Sequence, residues 1–180
     1  MKLSYRNAVC IFAGCLTANL AAAAFSAPAA AASKLPAPSI SLAEARVILD
    51  SAVAFARERN LAMAAIVVDA SGNPVASARM DGVPASYLQF AEGKAFAAAM
   101  LHQTTETLSG LATTRPDRFF GMLNMYPGKM YFDNGGEPLV VDGVVVGAVG
   151  VSGLPRKQDE PAGRAAIAAW EKMRTAGGVK

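Results

Sequence analysis

The dipeptide Asp142-Gly143, set between the apolar runs 138–141 and 144–151, constrains this chain more than any other feature. Strand-length runs joined by Asp-Gly form a hairpin through a type I′ turn. Both central residues must take positive φ, and the turn's twist then matches that of the strands. A second unit of the same kind lies upstream, where runs 62–68 and 75–80 flank Asp69-Ala70-Ser71-Gly72-Asn73-Pro74. A Ser-Gly-Asn turn between two strand-length segments predicts another hairpin. Gly147 and Gly150 inside the last run predict a bulge or a close backbone approach.

Helical patterns surround these hairpins. Ser41-Leu42-Ala43-Glu44 is a capping box, and Leu42, Ala45, Ile48, Leu49, Ala52, Val53 and Ala56 follow at helical spacing, predicting a helix that ends near Asn60. Residues 86–101 carry the stripe Leu88, Ala91, Ala95 and Ala99, and their many alanines imply close packing on a sheet or on a second helix. A short helix is expected over 105–111, and a closing helix over 158–173 with Ile167, Ala168 and Trp170. The order αββααββα, with hairpins in place of βαβ crossovers, predicts an α/β (α+β) domain with an antiparallel sheet of two hairpins flanked by helices. Segment 113–136 shows no clear period. It is expected to be irregular and therefore functional or mobile.

The amino end has a different character. Lys2 and Arg6 precede a mostly apolar run, 8–25, and then the small residues 26–33. This is the layout of a secretory signal, expected over residues 1–32 with cleavage somewhere in 26–33. The run is short for a bilayer span and lacks a following cation cluster, which argues against an anchor. A lipoprotein box, Phe12-Ala13-Gly14-Cys15, offers Cys15 as a lipidated terminus instead. Residues 33–40 then read as a Pro/Ala-rich tether, and 41–175 as the single folded domain. The expected location is periplasmic or secreted.

Removing the signal takes away both cysteines, Cys10 and Cys15, so no disulfide framework, thiolate metal site or cysteine nucleophile remains. It also takes two cations and no acid, lowering a formal net charge of +3 to +1. A charge that small predicts no nucleic-acid partner, and no membrane partner after processing. Phosphate-cradling, G-x-S-x-G and H-E-x-x-H motifs are absent, one histidine excludes most His-rich metal sites, and a serine triad could use only His102.

Three groups are left as candidates. His102 follows the Ala-rich helix; it reads as an axial ligand to heme iron, as a general base, or as a helix-end imidazole. Met122, Met125, Tyr126, Met130 and Tyr131, with Phe119 and Phe120, would line an apolar pocket for a flat ligand, or else fill a core under a long loop. Arg79, Asp81 and Lys94 would hold a carboxylate such as a heme propionate or an acid substrate, or would form a structural ion pair.

Several stretches together carry a resemblance: Val68-Asp69-Ala70-Ser71-Gly72-Asn73-Pro74, Ala78-Arg79-Met80-Asp81-Gly82, Gly135-Gly136-Glu137-Pro138-Leu139, Val149-Gly150-Val151-Ser152-Gly153 and Gln158-Asp159-Glu160. Over 41–170 the chain resembles the GlcG/HbpS family of heme-binding proteins, and Lys94 sits where that family usually has a lysine. The resemblance implies an antiparallel sheet flanked by helices, heme as cofactor, and homo-oligomers. The family also includes members encoded with glycolate-utilisation enzymes and a domain attached to a cobalamin adenosyltransferase. This chain departs from the family at Leu101-His102-Gln103-Thr104-Thr105, where Phe-Gly-Arg-Pro-Thr is usual. Three functions are therefore carried forward. One is a heme-binding protein for capture, sensing or redox protection. Another is an accessory protein or small enzyme for an organic acid such as glycolate, using Lys94, Asp81 or Glu92. The third is a structural homo-oligomer subunit.

Overall fold

The computed structural model describes residues 38–155 and 157–176. The expected signal segment, the Cys15 lipid site and most of the tether lie outside the described residues. Among the described residues the order is α1 (Leu42–Arg57), β1 (Ala64–Asp69), β2 (Pro74–Arg79), α2 (Ala85–Leu101), α3 (Thr105–Ser109), α4 (Leu111–Thr114), α5 (Pro116–Met125), β3 (Gly136–Val141), β4 (Val144–Ser152) and α6 (Asp159–Ala176). The four strands form one antiparallel sheet in the order β2-β1-β4-β3, so each hairpin contributes one central and one edge strand.

Both turns form as the sequence predicts. Asp142 and Gly143 take φ of 49° and 79°, the positive pair that a type I′ turn demands. In the other turn the Asp69 carboxylate accepts from the backbone N–H of Ser71 (2.8 Å) and of Asn73 (2.9 Å).

The sheet is covered on both faces, which explains why β1 reads as an unbroken apolar run. Ala65 and Val67 point to one layer, packing with Ala45, Ile48, Leu49 and Ala52 of α1 and with Ala162, Ala166 and Trp170 of α6. Ile66 and Val68 point to the other, against Ala91, Ala95, Ala98 and Ala99 of α2. Gly150 is where α2 comes closest: a Cβ there would stand 1.9 Å from the Ala91 carbonyl oxygen. The expected close approach is thus real at Gly150, and the expected bulge lies beside Gly147: Leu139 pairs with Gly147 and Val140 with Val145, which leaves Val146 as the extra residue in β4.

The capping box does more than start α1. Ser41 N donates to Glu44 Oε2 (2.9 Å), and Glu44 N donates to Ser41 Oγ (3.2 Å). The second carboxylate oxygen accepts from Trp170 Nε1 (3.2 Å) and Arg174 Nη1 (2.9 Å), so Glu44 ties α1 to α6. Burial alone would raise its pKa, but the bonds from Ser41, Trp170 and Arg174 outweigh this and hold it at about 2. A lowered carboxylate contributes stability above its unfolded value of 4.5, lost as pH falls toward 2. Replacing Glu44 by alanine is expected to cost about 2 kcal/mol in urea unfolding at pH 7, and much less at pH 3.

Segment 113–136 departs from expectation. It contains α5, and the region before it holds two short helices, α3 and α4, separated at Gly110, where a single helix is predicted. Pro116 opens α5 at its first turn, where its fixed φ and missing N–H suit a helix start. The inward stripe is Phe119, Met122 and Leu123. Its period is masked in the sequence by Phe120 and Met125, which are apolar yet 60% and 73% exposed. This helix adds to a satellite cluster built on Ala97, Leu108 and Met130.

Candidate functional site

The charged centre of the molecule is Lys94, in the middle of α2. Its neighbours Gly93, Ala95, Ala97 and Ala98 are too small to hold the helix off the sheet, so the lysine stem runs inward and the residue is 1% exposed. Its Nζ donates to Asp159 Oδ2 (2.8 Å) and to the Val151 carbonyl (3.0 Å), with Asp133 Oδ2 at 3.7 Å. Asp159 opens α6, and its other oxygen accepts from Leu154 N–H at 2.9 Å. Burial pushes the Asp159 carboxyl above its ordinary range, against the opposing pull of Lys94. The ion pair therefore links α2, β4 and α6.

A cavity of about 490 Å³ opens above this pair, lined by Tyr87, Phe90, Tyr131, Asp133, Ser152 and Asp159 among others. Phe90 and Tyr131 stack with centroids 5.0 Å apart, and Tyr87 meets Phe90 edge-on at 6.0 Å. The Lys94 ammonium lies 5.9 Å from the Tyr131 ring centroid. Burial, with Asp133 and Asp159 close by, pushes the Tyr131 phenol above its ordinary range. An aromatic wall over acidic groups and one shared cation can orient a small polar ligand.

Only some of the expected residues meet. Tyr131 lines this cavity and Lys94 lies buried beneath it, while Met122, Tyr126 and Met130 pack together in the satellite cluster, Tyr126 edge-on to Phe96 at 5.4 Å. Arg79 lines a separate groove with α1 and donates to the Val83 carbonyl. Asp81 lies exposed in that groove, and Glu92 is exposed on α2. His102 caps α2 in the left-handed conformation, φ 55°; its imidazole is exposed and makes no hydrogen bond among the described residues. Met125 stands in solvent. No group of three or more His, Cys, Asp or Glu among the described residues is placed to hold a metal ion.

Asp159 was not a candidate from the residues. An acid at a helix start reads as dipole compensation, and its lysine partner is 65 residues away in sequence. Glu137 was missed for a similar reason. Nothing about a glutamate at a strand start shows that it is 5% exposed with Oε1 unpartnered.

The family model described as haem degrading protein HbpS-like matches residues 40–168, and the chain belongs to that family. Among solved structures it is similar to Klebsiella pneumoniae ORFY: 29% identity, TM-score 0.68, covering 73% of this chain and 90% of that one. A double mutant of Streptomyces reticuli HbpS is 30% identical with TM-score 0.65, over 72% and 86% of the two chains. The PduOC:heme complex is 27% identical with TM-score 0.66, over 73% and 94%.

Among the described residues, the groups that suit a heme lie at the surface on two separate elements, the end of α2 and α5. The His102 imidazole is exposed and uncommitted, and α5 presents apolar area at Phe120 and Met125. Lys94 does not fit as a propionate contact, because its ammonium is enclosed and already neutralised by Asp159.

Proposed function

We propose that this chain is a secreted heme-binding protein that captures heme, senses it or limits its redox damage, and that works as a homo-oligomer. The observation that carries the reading is membership of the HbpS-like family across residues 40–168, joined to likeness to a relative solved with heme. Its basic, apolar and small-residue start supports export. Heme, when bound, supplies an iron centre for ligand exchange and electron transfer. This chain's part would be to hold and orient it, with His102 as the donor to the iron and Phe120 and Met125 as apolar cover. Titrating the purified chain with hemin should give a saturable Soret band at about one heme per chain. His102→Ala should shift or remove that band. A flat titration would sink heme binding, whereas an unchanged band in the variant would sink only the His102 assignment.

The cavity above Lys94 and Asp159 favours a second reading, an accessory protein or small enzyme for an organic acid. Raised melting temperature of the heme-free chain with glycolate at concentrations far above Kd would support it.

A further inference from the structure

The cavity over Lys94 carries an unbalanced negative charge. Among the described residues Lys94 is the one cation beside it, against the two acids Asp133 and Asp159, a net of −1. Asp159 neutralises the ammonium at 2.8 Å, whereas Asp133 Oδ2 stands 3.7 Å away, too far for a hydrogen bond. The Asp133 side chain is 52% exposed, so its carboxylate can meet a ligand. The positive end of α6 offers an anion little, because Asp159 and Glu160 already occupy its first turn.

An aromatic wall faces that charge, and backbone contacts fix it. Tyr87 and Phe90 lie one turn apart at the start of α2, and Phe90 stacks on Tyr131. Tyr131 N–H donates to the Gly93 carbonyl (3.2 Å). A Cβ on Gly93 would stand 2.8 Å from Tyr131 Cβ, so the glycine is what lets Tyr131 lie this close to α2. Phe90 and Tyr131 are 38% and 40% exposed, which leaves ring area open to a ligand. Aromatic faces carry negative potential and attract cations.

We propose that this cavity binds a small organic ammonium ion, its charge met by Asp133 and its apolar groups set against Tyr87, Phe90 and Tyr131. A volume of about 490 Å³ suits such a ligand. The cavity is the one that favours an organic acid in the second reading above, and the charge balance selects the cation. A carboxylate would face Asp133 while the Lys94 ammonium is already neutralised by Asp159. Burial, with Asp133 and Asp159 adding to it, raises the Tyr131 phenol and so opposes an anion at the same place. The inference does not rest on heme, since neither His102 nor α5 lines this cavity.

Calorimetric titration and thermal unfolding of the purified, heme-free chain test it, with choline chloride as the probe and sodium chloride at equal concentration as the control. Choline should bind saturably and raise the melting temperature. Its uncharged isostere, in which a tert-butyl group replaces the trimethylammonium, should bind about tenfold more weakly, and glycolate should not bind. Asp133→Asn and Phe90→Leu alter exposed side chains, so the fold should survive both. Each should weaken choline binding about fivefold or more. Absence of saturable choline binding would overturn the inference. So would an isostere that binds as tightly as choline, or an affinity that both variants leave unchanged. Glycolate binding in place of choline assigns the cavity to an acid and overturns it as well. A flat hemin titration has no bearing on any of these results, so the heme reading and this one fail separately.

Discussion

Lys94→Ala should destabilise this protein by about 3–5 kcal/mol at pH 7, the cost of leaving a buried charge without its partner. The lysine is 1% exposed and Asp159 is 8% exposed, so water cannot take over the role of the missing ammonium. The loss should itself depend on pH. Burial already raises Asp159 despite Lys94, and removing the lysine raises it further. Such a group is tolerated when protonated, so stability falls as pH rises above the unfolded value of 3.8, and the variant should recover part of its loss near pH 4. Urea unfolding at pH 4.5 and at pH 7 measures both effects. The double change Lys94→Met with Asp159→Asn removes both charges, and its amide can still accept from Leu154 N–H at the Oδ1 position. It should regain most of the lost stability. A Lys94→Ala variant as stable as the parent at pH 7 would mean that the pair adds nothing net.

That pair shows where sequence reasoning reached its limit. Lys94 stood out as a functional candidate, but its partner did not, since the pairing is made by the fold and not by spacing along the chain. The sheet was far more legible. Asp142-Gly143 and Ser71-Gly72-Asn73 are local devices, each satisfied within a few residues, and local physics can be read locally. The Ala stripe of α2 predicted close packing correctly because small side chains have few other uses in a helix interior. Alpha5 was missed because the hydrophobic period was obscured by apolar residues facing solvent, Phe120 and Met125. Tertiary context alone distinguishes those side chains from the inward stripe beside them. The same holds for Tyr131 and the methionines. Their composition suggested one apolar pocket, yet the chain divides them between the cavity over Lys94 and the cluster under α5.

Gly150→Val should abolish the native fold, because no rotamer relieves a clash with backbone. The added Cβ would stand 1.9 Å from the Ala91 carbonyl oxygen and 2.8 Å from Ala95 N, both fixed parts of α2. The helix would have to lift from β4, taking Ala91, Ala95, Ala98 and Ala99 off Ile66, Val68 and Ala148 and pulling Lys94 away from Asp159. Overpacking of this kind, added to a broken buried pair, exceeds about 4 kcal/mol and is comparable to the whole stability of a small domain. The contrast lies at Gly121, in the exposed middle of α5, where a Cβ would meet nothing within 4 Å. Gly121→Ala should raise stability by up to about 1 kcal/mol, since alanine restricts the unfolded chain and suits a helix. Soluble yield and thermal unfolding followed by circular dichroism compare the two directly. A cooperative, parent-like transition in Gly150→Val would show that α2 is not seated on β4 through this glycine. The close contact of helix and strand would then need another account, and so would the burial of Lys94 that depends on it.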